Sequence, residues 1–365
     1  MISHFKLLQF YSFNHNQIFF MAHNLNYNEQ TGKYSFYSVK EKAWHNLGQI
    51  ADQYETSADV LEKAGLNFIV EKRPNIHRLP SGKEIESTKS FFTFRTDTEE
   101  ILGDQLGGDY RVIQNKQAFE FFDAIAGKDG VYYETAGALG KGEKIFITAK
   151  LPNYIKVGNN DLIEKYLFLT TAHDGKGSII AAFTPIRIVC NNTLNAALSN
   201  CSNMVTIRHT TGALDRLKEA HKVMGMVNTV SPILEQVFNH WSTVKIQDPE
   251  IRKLIQTAMA PNKEVLENIR LNKDDEISTA FKNICDDIFS YTMISETQQF
   301  ETTKGTLFGA YNAVTGYFQN VRKYKDNDAK LKSILFGGTA QIRAQKTFEL
   351  CSKFAKSGSD ALVLN

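Results

Sequence analysis

The chain has 365 residues, of which 42% are hydrophobic and 22% are charged, and its formal net charge is +2 at pH 7. This composition predicts a globular protein with one large core or two ordinary ones, and it excludes disorder as the main state. Because the total charge is nearly balanced, a polyanionic partner has to be argued from local clusters of charge.

The sequence contains no apolar run of about 18 residues, so it predicts no membrane span. Residues 1–20 lack the apolar core and cleavage site of a signal peptide, and Met21 resembles a fresh start, so residues 1–20 are expected to be an upstream extension outside the fold. The four cysteines have no metal-binding spacing. We therefore expect a cytoplasmic protein without metal or cofactor.

Residues 56–65 predict the first helix after Met21. Thr56 and Asp59 have the spacing of a capping box, and Gly65 suits the left-handed position after the helix. Three stretches of strand character follow, "NFIVEKRP", "SFFTFRTD" and "DYRVIQN". Asn115 is then expected to cap a second helix with Phe119, Phe122 and Ile125 along one face.

Strand patterns dominate the next 80 residues. Two β-rich runs flank Gly140-Lys141-Gly142, which predicts a hairpin. A second hairpin is predicted from "KYLFLTTAHDG" and "SIIAAFTPIRIVC", and a helix is expected to begin at Asn192.

Helical periodicity replaces the strand patterns from about residue 211. In "DPEIRKLIQTAMAP", for example, Asp248 is expected at the N-cap, Pro249 at the first helical position and Pro261 just past the end. The predicted fold class is α+β. We expect an antiparallel sheet with helices over residues 21–210, and a mostly α-helical region over 211–365 packed on it.

His173, Asp174 and Gly175 lie at the turn of the second hairpin. A carboxylate beside an imidazole suggests acid–base chemistry, but strand neighbours point to opposite faces. The sequence "DGKG" is also typical of an ordinary turn, in which Asp binds its own backbone and Gly supplies a positive φ. The structural turn is favoured, while a binding edge and a catalytic pair stay open.

Other polar residues sit in apolar surroundings. Arg187 lies between two isoleucines and must face solvent, pair with a carboxylate or reach a ligand. Asn192 suits a helix cap, and Cys190 resembles a buried apolar residue. Trp44 and His45 precede a loop, where an aromatic core anchor is favoured over a base-stacking ring.

The C-terminal region carries a concentration of positive charge. Between residues 303 and 356 there are ten basic and three acidic residues, a net of +7 in a nearly neutral chain. Basic residues around an aromatic ring are typical of contacts with nucleic-acid phosphates, although basic helix ends also occur on ordinary surfaces. The candidate nucleic-acid-binding residues are Arg322, Lys323, Tyr324, Lys325, Lys330, Lys332 and Arg343.

With these residues identified, the chain resembles the phage- and plasmid-like family called domain of unknown function 932. The resemblance rests on "AWHNLGQ", "DYRVIQNKQAFEFFD", "TAHDGKGSI", "TPIRIVCNNTLNAAL" and "TKGTLFGAYNAVTGYF", in that order. It implies an accessory protein of a mobile element, but no reaction. It also implies shared motif positions, including Trp44, His45, Tyr110, Asn115, His173, Asp174, Arg187, Asn192, Gly305, Thr306 and Tyr311.

Three functional hypotheses follow from the sequence. The leading one is a non-enzymatic DNA-binding protein, handling single-stranded DNA in recombination or replication, with the basic C-terminal helices on the backbone and the His173–Arg187 sheet edge as a second surface. The second is a hydrolase or nucleotide-modifying enzyme, which requires His173, Asp174 and Arg187 to converge. The third is a protein-interaction or host-inhibitor protein with an exposed apolar helical face. The sequence also leaves open whether the chain forms a homo-oligomer.

Overall fold

The structure is a computed structural model that describes residues 25–39, 48–126, 132–187, 192–193, 204–219, 222–325, 329–330, 333–334 and 338–363. Its strands are β1 Tyr27–Asn28, β2 Lys33–Tyr34, β3 Phe36–Val39, β4 Gln49–Ala51, β5 Val70–Arg78, β6 Glu84–Arg95, β7 Ile101–Leu106, β8 Tyr132–Leu139, β9 Lys144–Val157, β10 Asp161–Ala172, β11 Ile179–Arg187, β12 Asn192–Thr193 and β13 Met204–Ile207. Its α-helices are α1 Ser57–Lys63, α2 Asn115–Ala126, α3 Ala213–Glu219, α4 Lys222–Thr243, α5 Asp248–Met259, α6 Lys263–Arg270, α7 Thr279–Ile294, α8 Leu307–Gly316 and α9 Thr339–Ser357.

The large sheet is mixed, so the prediction of an antiparallel sheet is wrong. Its order is β12-β11-β10-β9-β8-β3-β4, with β13 also paired to β11. The pairing of β3 with β4 is parallel, whereas the other pairs are antiparallel. The fold class is α+β with a mostly antiparallel sheet. Apolar alternation predicts strands, but it does not encode the direction in which two strands pair.

A second sheet, β5-β6-β7, packs its inner end on the turn between β10 and β11. The contact is close because Gly103 of β7 has no side chain, and a Cβ there would lie 2.8 Å from the Cα of Asp174. Gly175, with a φ of +74°, packs against the Leu106 side chain, whose Cγ would lie 3.0 Å from a Cβ at this position. Gly103 therefore allows the backbones of β7 and the turn to approach closely, and Gly175 allows the Leu106 side chain to pack on the turn.

Several local predictions are confirmed and others are wrong. Helix α1 has the predicted capping box, with Thr56 Oγ1 accepting from the Asp59 N–H, and both predicted hairpins form. The stretch 109–114 is a loop and not a strand, while β7 was missed. Helix α5 is capped by Gln247, one residue before the predicted Asp248. The expected helix start at Asn192 is wrong, because Asn192 pairs with Arg187 in strand β12.

The helical part is built around α8. All ten residues of α8 are buried, because the helix is apolar on every side and is surrounded by other helices. Phe238, Trp241, Phe308, Tyr311 and Phe348 form an aromatic cluster from α4, α8 and α9, with ring centroids 4.9 to 6.4 Å apart. Aromatic packing of this kind fixes the relative positions of the three helices.

The sheet and the helices share contacts. Asn239 of α4 accepts from the Gly158 N–H at 2.9 Å and donates to the Lys156 carbonyl at 2.7 Å. Thr302 donates to the buried carboxylate of Asp161 at 2.6 Å. The domain boundary near residue 210 stays a prediction. In the described ranges, no helix is both long enough and apolar enough to cross a membrane.

Candidate functional site

The 173–178 turn, which connects β10 to β11, is held in place by one internal hydrogen bond and by three to other segments, at the turn itself and at the preceding Ala172. The His173 N–H donates to the Glu143 carbonyl at 2.6 Å, and the His173 carbonyl accepts from Thr93 Oγ1 at 2.6 Å. Asp174 Oδ1 accepts from the Lys176 N–H at 2.8 Å, as in an ordinary Asx turn. Tyr110 donates its hydroxyl to the Ala172 carbonyl at 2.9 Å. The turn is therefore a fixed part of the fold.

The His173 side chain is fully buried and neutral. Its Nε2 lies 2.8 Å from Asn115 Oδ1. Because Asn115 uses its Nδ2 to donate to the Leu66 carbonyl, its Oδ1 accepts, and His173 carries its proton on Nε2. Burial, with nearby His209 and Arg95, lowers the pKa of His173 to about 3. This arrangement also corrects the role expected of Asn115, whose side chain binds His173 and does not cap α2.

His173 and Arg187 are at opposite ends of one hairpin. Arg187 pairs with Ile163, ten positions before His173 along β10. At about 3.3 Å per residue, this separation is roughly 30 Å, which is longer than an arginine side chain can reach. Asn192 pairs with Arg187 at the far end. The structure therefore brings Asp174 beside His173 in the turn but does not bring Arg187 to them.

The basic segment, residues 322–325, follows the π-helical turn that ends α8. Arg322, Lys323 and Lys325 are exposed. The Arg322 guanidinium lies 5.4 Å from the Phe318 ring centroid and 5.2 Å from that of Tyr324, a cation–π arrangement that leaves its outer edge in solvent. Tyr324 is half-buried and donates to the Phe318 carbonyl at 3.0 Å. The segment therefore displays three cations on a fixed aromatic support.

Two other predicted nucleic-acid contacts have structural roles. Arg343 donates to the carbonyls of Ala258 and Ala260 at the end of α5, at 3.3 and 2.7 Å. Lys330 donates to the Gln319 carbonyl at 2.9 Å. Burial lowers the pKa of both groups. The charged groups of Arg343 and Lys330 therefore bind backbone carbonyls of the protein itself. Lys332, like Trp44 and His45, lies outside the described residues.

The remaining motif positions that the structure describes are explained by packing. Thr306 caps α8 through Gly309, and Gly305 before it has a φ of +61°. Tyr311 is fully buried in the aromatic cluster. Over the ranges that the structure covers, no three His, Cys, Asp or Glu side chains are grouped as a metal site. Cys285 and Cys351 are buried free thiols, and burial raises the pKa of both.

Sequence reasoning missed the residues that support the turn. His209 stacks on Tyr110 at 5.0 Å and 20°, accepts from Thr171 Oγ1 at 3.0 Å, and donates to the Arg111 carbonyl at 3.1 Å. Lys72 donates to the carbonyls of Gly107, Gly108 and Tyr110 at 2.8 to 3.0 Å. These contacts join segments up to about 100 residues apart in sequence. Hydrophobic periodicity predicts local helices and strands, so it cannot predict such distant contacts.

Comparison with known proteins gives a family and no activity. The family model described as Domain of unknown function (DUF932) matches residues 104–335, which is more than half of the chain. Searches of the curated proteins and of the solved structures found no match. The matched region includes the 173–178 turn, the aromatic cluster residues up to Tyr311, and the basic segment.

Proposed function

We propose that this chain, which belongs to the family of domain of unknown function 932, is a DNA-binding protein that contacts the phosphate backbone through its basic segment. The observation that supports the proposal best is the exposure of Arg322, Lys323 and Lys325 on one short segment. A guanidinium and two ammonium groups within four residues offer several positive charges to neighbouring phosphates. The resemblance to phage- and plasmid-like proteins suggests a role in a mobile element.

The support for phosphate contacts is stronger than the support for base stacking. The Tyr324 hydroxyl is used internally, and the Arg322 guanidinium lies near its ring. A base would have to displace that guanidinium in order to stack on this face of Tyr324. We therefore propose a contact that depends on charge and not on base sequence, with duplex and single-stranded DNA both accepted.

The triple variant Arg322→Ala, Lys323→Ala, Lys325→Ala tests the proposal. We expect it to weaken the binding of a fluorescent duplex and to reduce the slope of log K against log salt by about 2.7, which is 0.9 for each of three phosphates. The matched control is Lys33→Ala, Lys116→Ala, Lys263→Ala, which removes three exposed positive charges elsewhere. If both variants bound the duplex with equal affinity and equal salt slope, the basic segment would not be the DNA contact.

An enzyme centred on His173, Asp174 and Arg187 is not proposed. That hypothesis depends on the convergence of three side chains, and the strand register separates Arg187 from the other two by roughly 30 Å. His173 is also fully buried, so its imidazole has no access to a substrate in this structure.

A protein-interaction role is a second candidate because the end of α7 exposes apolar side chains. Ile294 is 78% exposed and Met293 is 46% exposed. Large apolar side chains at neighbouring positions are a common feature of contact surfaces. The variant Ile294→Glu should abolish co-purification of a protein partner without lowering the melting temperature. Co-purification that is unchanged in this variant would exclude the end of α7 as the contact.

A further inference from the structure

A cavity of about 350 Å³ lies beside the 173–178 turn. Its walls come from three separate segments, which are the end of β7 with the following loop, the turn itself, and the residues after β13. Tyr110 and His209, stacked on one another, are also among its lining residues. A cavity of this volume is within the range of small-molecule sites in proteins.

The residues that line the cavity carry net positive charge. Lys176 and Arg208 line it, both are exposed, and neither forms an ion pair with a residue that the structure describes. No Asp or Glu is among the described residues that line it. The Asp174 carboxylate is near enough to act on the pKa of Tyr110 and of His209, and it accepts from the Lys176 N–H within the turn. Lys176 and Arg208 outnumber this carboxylate, so the net positive charge of the site attracts an anion.

The other polar groups suit hydrogen bonding to oxygen. Gln105, Ser178 and Thr210, whose side chains carry an amide and two hydroxyls, are among the lining residues, and the Thr210 hydroxyl accepts from Arg216 at 2.8 Å. Gly107 and Gly177 present backbone without a side chain, which allows a ligand to approach closely. Packing explains Gly177, where a Cβ would lie 2.6 Å from that of Ala172, but a Cβ on Gly107 would meet nothing within 4 Å. Hydroxyl, amide and cationic donors together are typical of phosphate recognition.

The walls are fixed before any ligand arrives. The three carbonyls that accept from Lys72 hold the 107–110 loop, and the Lys72 ammonium also lies 4.2 Å from the Phe91 ring centroid. The Tyr110 hydroxyl ties the same loop to Ala172 at the start of the turn. A site that is already ordered loses little conformational entropy on binding, so its donors contribute fully to affinity.

We propose that this cavity binds a phosphate group, with Lys176 and Arg208 as its cationic contacts. The phosphate belongs either to a free nucleotide or to the backbone of a nucleic-acid strand that crosses the cavity. The proposal does not depend on the basic segment, which is a separate surface of the chain.

The test uses the full chain and a fluorescent nucleoside monophosphate, with inorganic phosphate and a short single-stranded oligonucleotide as competitors. Lys176→Glu and Arg208→Glu together should weaken the affinity by roughly 100-fold, about tenfold for each lost cationic contact. The control is Lys33→Glu with Lys263→Glu, two exposed lysines that do not line the cavity. Because the Lys176 and Arg208 side chains are exposed, the melting temperature should not change.

Each outcome decides the proposal. Saturable nucleotide binding that inorganic phosphate displaces, and that the cavity variant loses, supports a free nucleotide. Binding of the oligonucleotide alone, lost in the same variant, supports a strand. No binding of any probe, or binding equal in the cavity variant and its control, overturns the proposal. The basic-segment variant separates the two proposals, because it should keep nucleotide binding and weaken duplex binding.

Discussion

At the scale of single residues, the contacts of buried His173 explain why a neutral histidine fits this motif position. Its Nε2 and its backbone N–H and carbonyl each have a partner, whereas its buried Nδ1 has none in the part of the chain that the structure describes. A charged imidazole here would lack solvent and a counter-ion, so the neutral form is strongly favoured. The family position is therefore explained by the stability of the turn.

The pH dependence of stability tests this account of His173. Its pKa is lowered from 6.5 to about 3 in the folded protein, so the unfolded chain binds a proton between these values and the folded chain does not. Below pH 6.5, this group lowers the free energy of unfolding by about 1.4 kcal/mol per pH unit. When the pH falls from 6.5 to 4.5, the free energy of unfolding of His173→Gln should therefore fall less than that of the wild type. Chemical denaturation at the two pH values measures this difference.

The control for this experiment is His77→Gln, because His77 is exposed on β5. The control should retain the pH dependence of the wild-type protein. If His173→Gln lost as much stability between pH 6.5 and 4.5 as the wild type and His77→Gln do, His173 would not be buried in its neutral form.

Arg343 gives a second prediction at this scale. Arg343→Met keeps the aliphatic stem but removes the Nη1 group that donates to both carbonyls at the end of α5, at a cost of about 1–3 kcal/mol. Urea denaturation should detect this loss, while the affinity for duplex DNA stays unchanged. Lys353→Met, an exposed change on the same helix, is the control. Weakened DNA binding with wild-type stability would assign Arg343 to the DNA surface instead.

At the scale of elements, α8 depends on a glycine at a close approach. A Cβ on Gly309 would lie 1.9 Å from the Thr303 carbonyl oxygen, which is backbone and cannot rotate away. Gly309→Ala should therefore lower the free energy of unfolding by about 1–3 kcal/mol, more than the helix propensity gained from alanine. Thermal and urea denaturation measure this difference.

Gly107→Ala is the matched control for α8, because a Cβ there meets nothing within 4 Å and its φ is not positive. Its stability should stay within about 0.5 kcal/mol of the wild type. If Gly309→Ala were as stable as this control, the close approach of α8 to residue 303 would be wrong.

The elements also show what the sequence can predict. Capping and turn chemistry is local, so α1 and the hairpin at Gly140 and Gly142 were predicted correctly. The loop at 109–114 has the β-rich composition of a strand, but Lys72 and His209 satisfy its carbonyls in place of a neighbouring strand. Local sequence contains no information about such distant partners.

The same limit applies to the candidate sites: local features can be predicted from the sequence, and contacts between distant segments cannot. The exposed basic segment was predicted because charge in sequence becomes charge on the surface. The internal roles of Lys330 and Arg343 were missed because their acceptors lie 11 and more than 80 residues away in sequence. The phosphate cavity was missed for the same reason, since its three walls are separate in sequence.

At the scale of the whole molecule, the two cationic features, the cavity and the basic segment, share no residue and belong to a fold with a common core. One buried hydrophobic cluster includes residues of the large sheet and of the helices, among them Leu151 and Phe238. Hydrogen bonds between α4 and β9 also connect the large sheet to the helices: the Lys156 N–H donates to Glu235, and Asn239 donates to the Lys156 carbonyl. Charge removal at the exposed basic segment should therefore change binding without changing stability.

The most direct test of DNA binding is the anisotropy of a fluorescent duplex with the full chain at about 50 and 200 mM salt. We expect saturable binding whose affinity falls steeply with salt. The three contacts of the basic segment alone account for about a 40-fold loss across this range, and the triple alanine variant should lose that part of the salt dependence. Absence of binding at the lower salt concentration would contradict the proposed DNA-binding function.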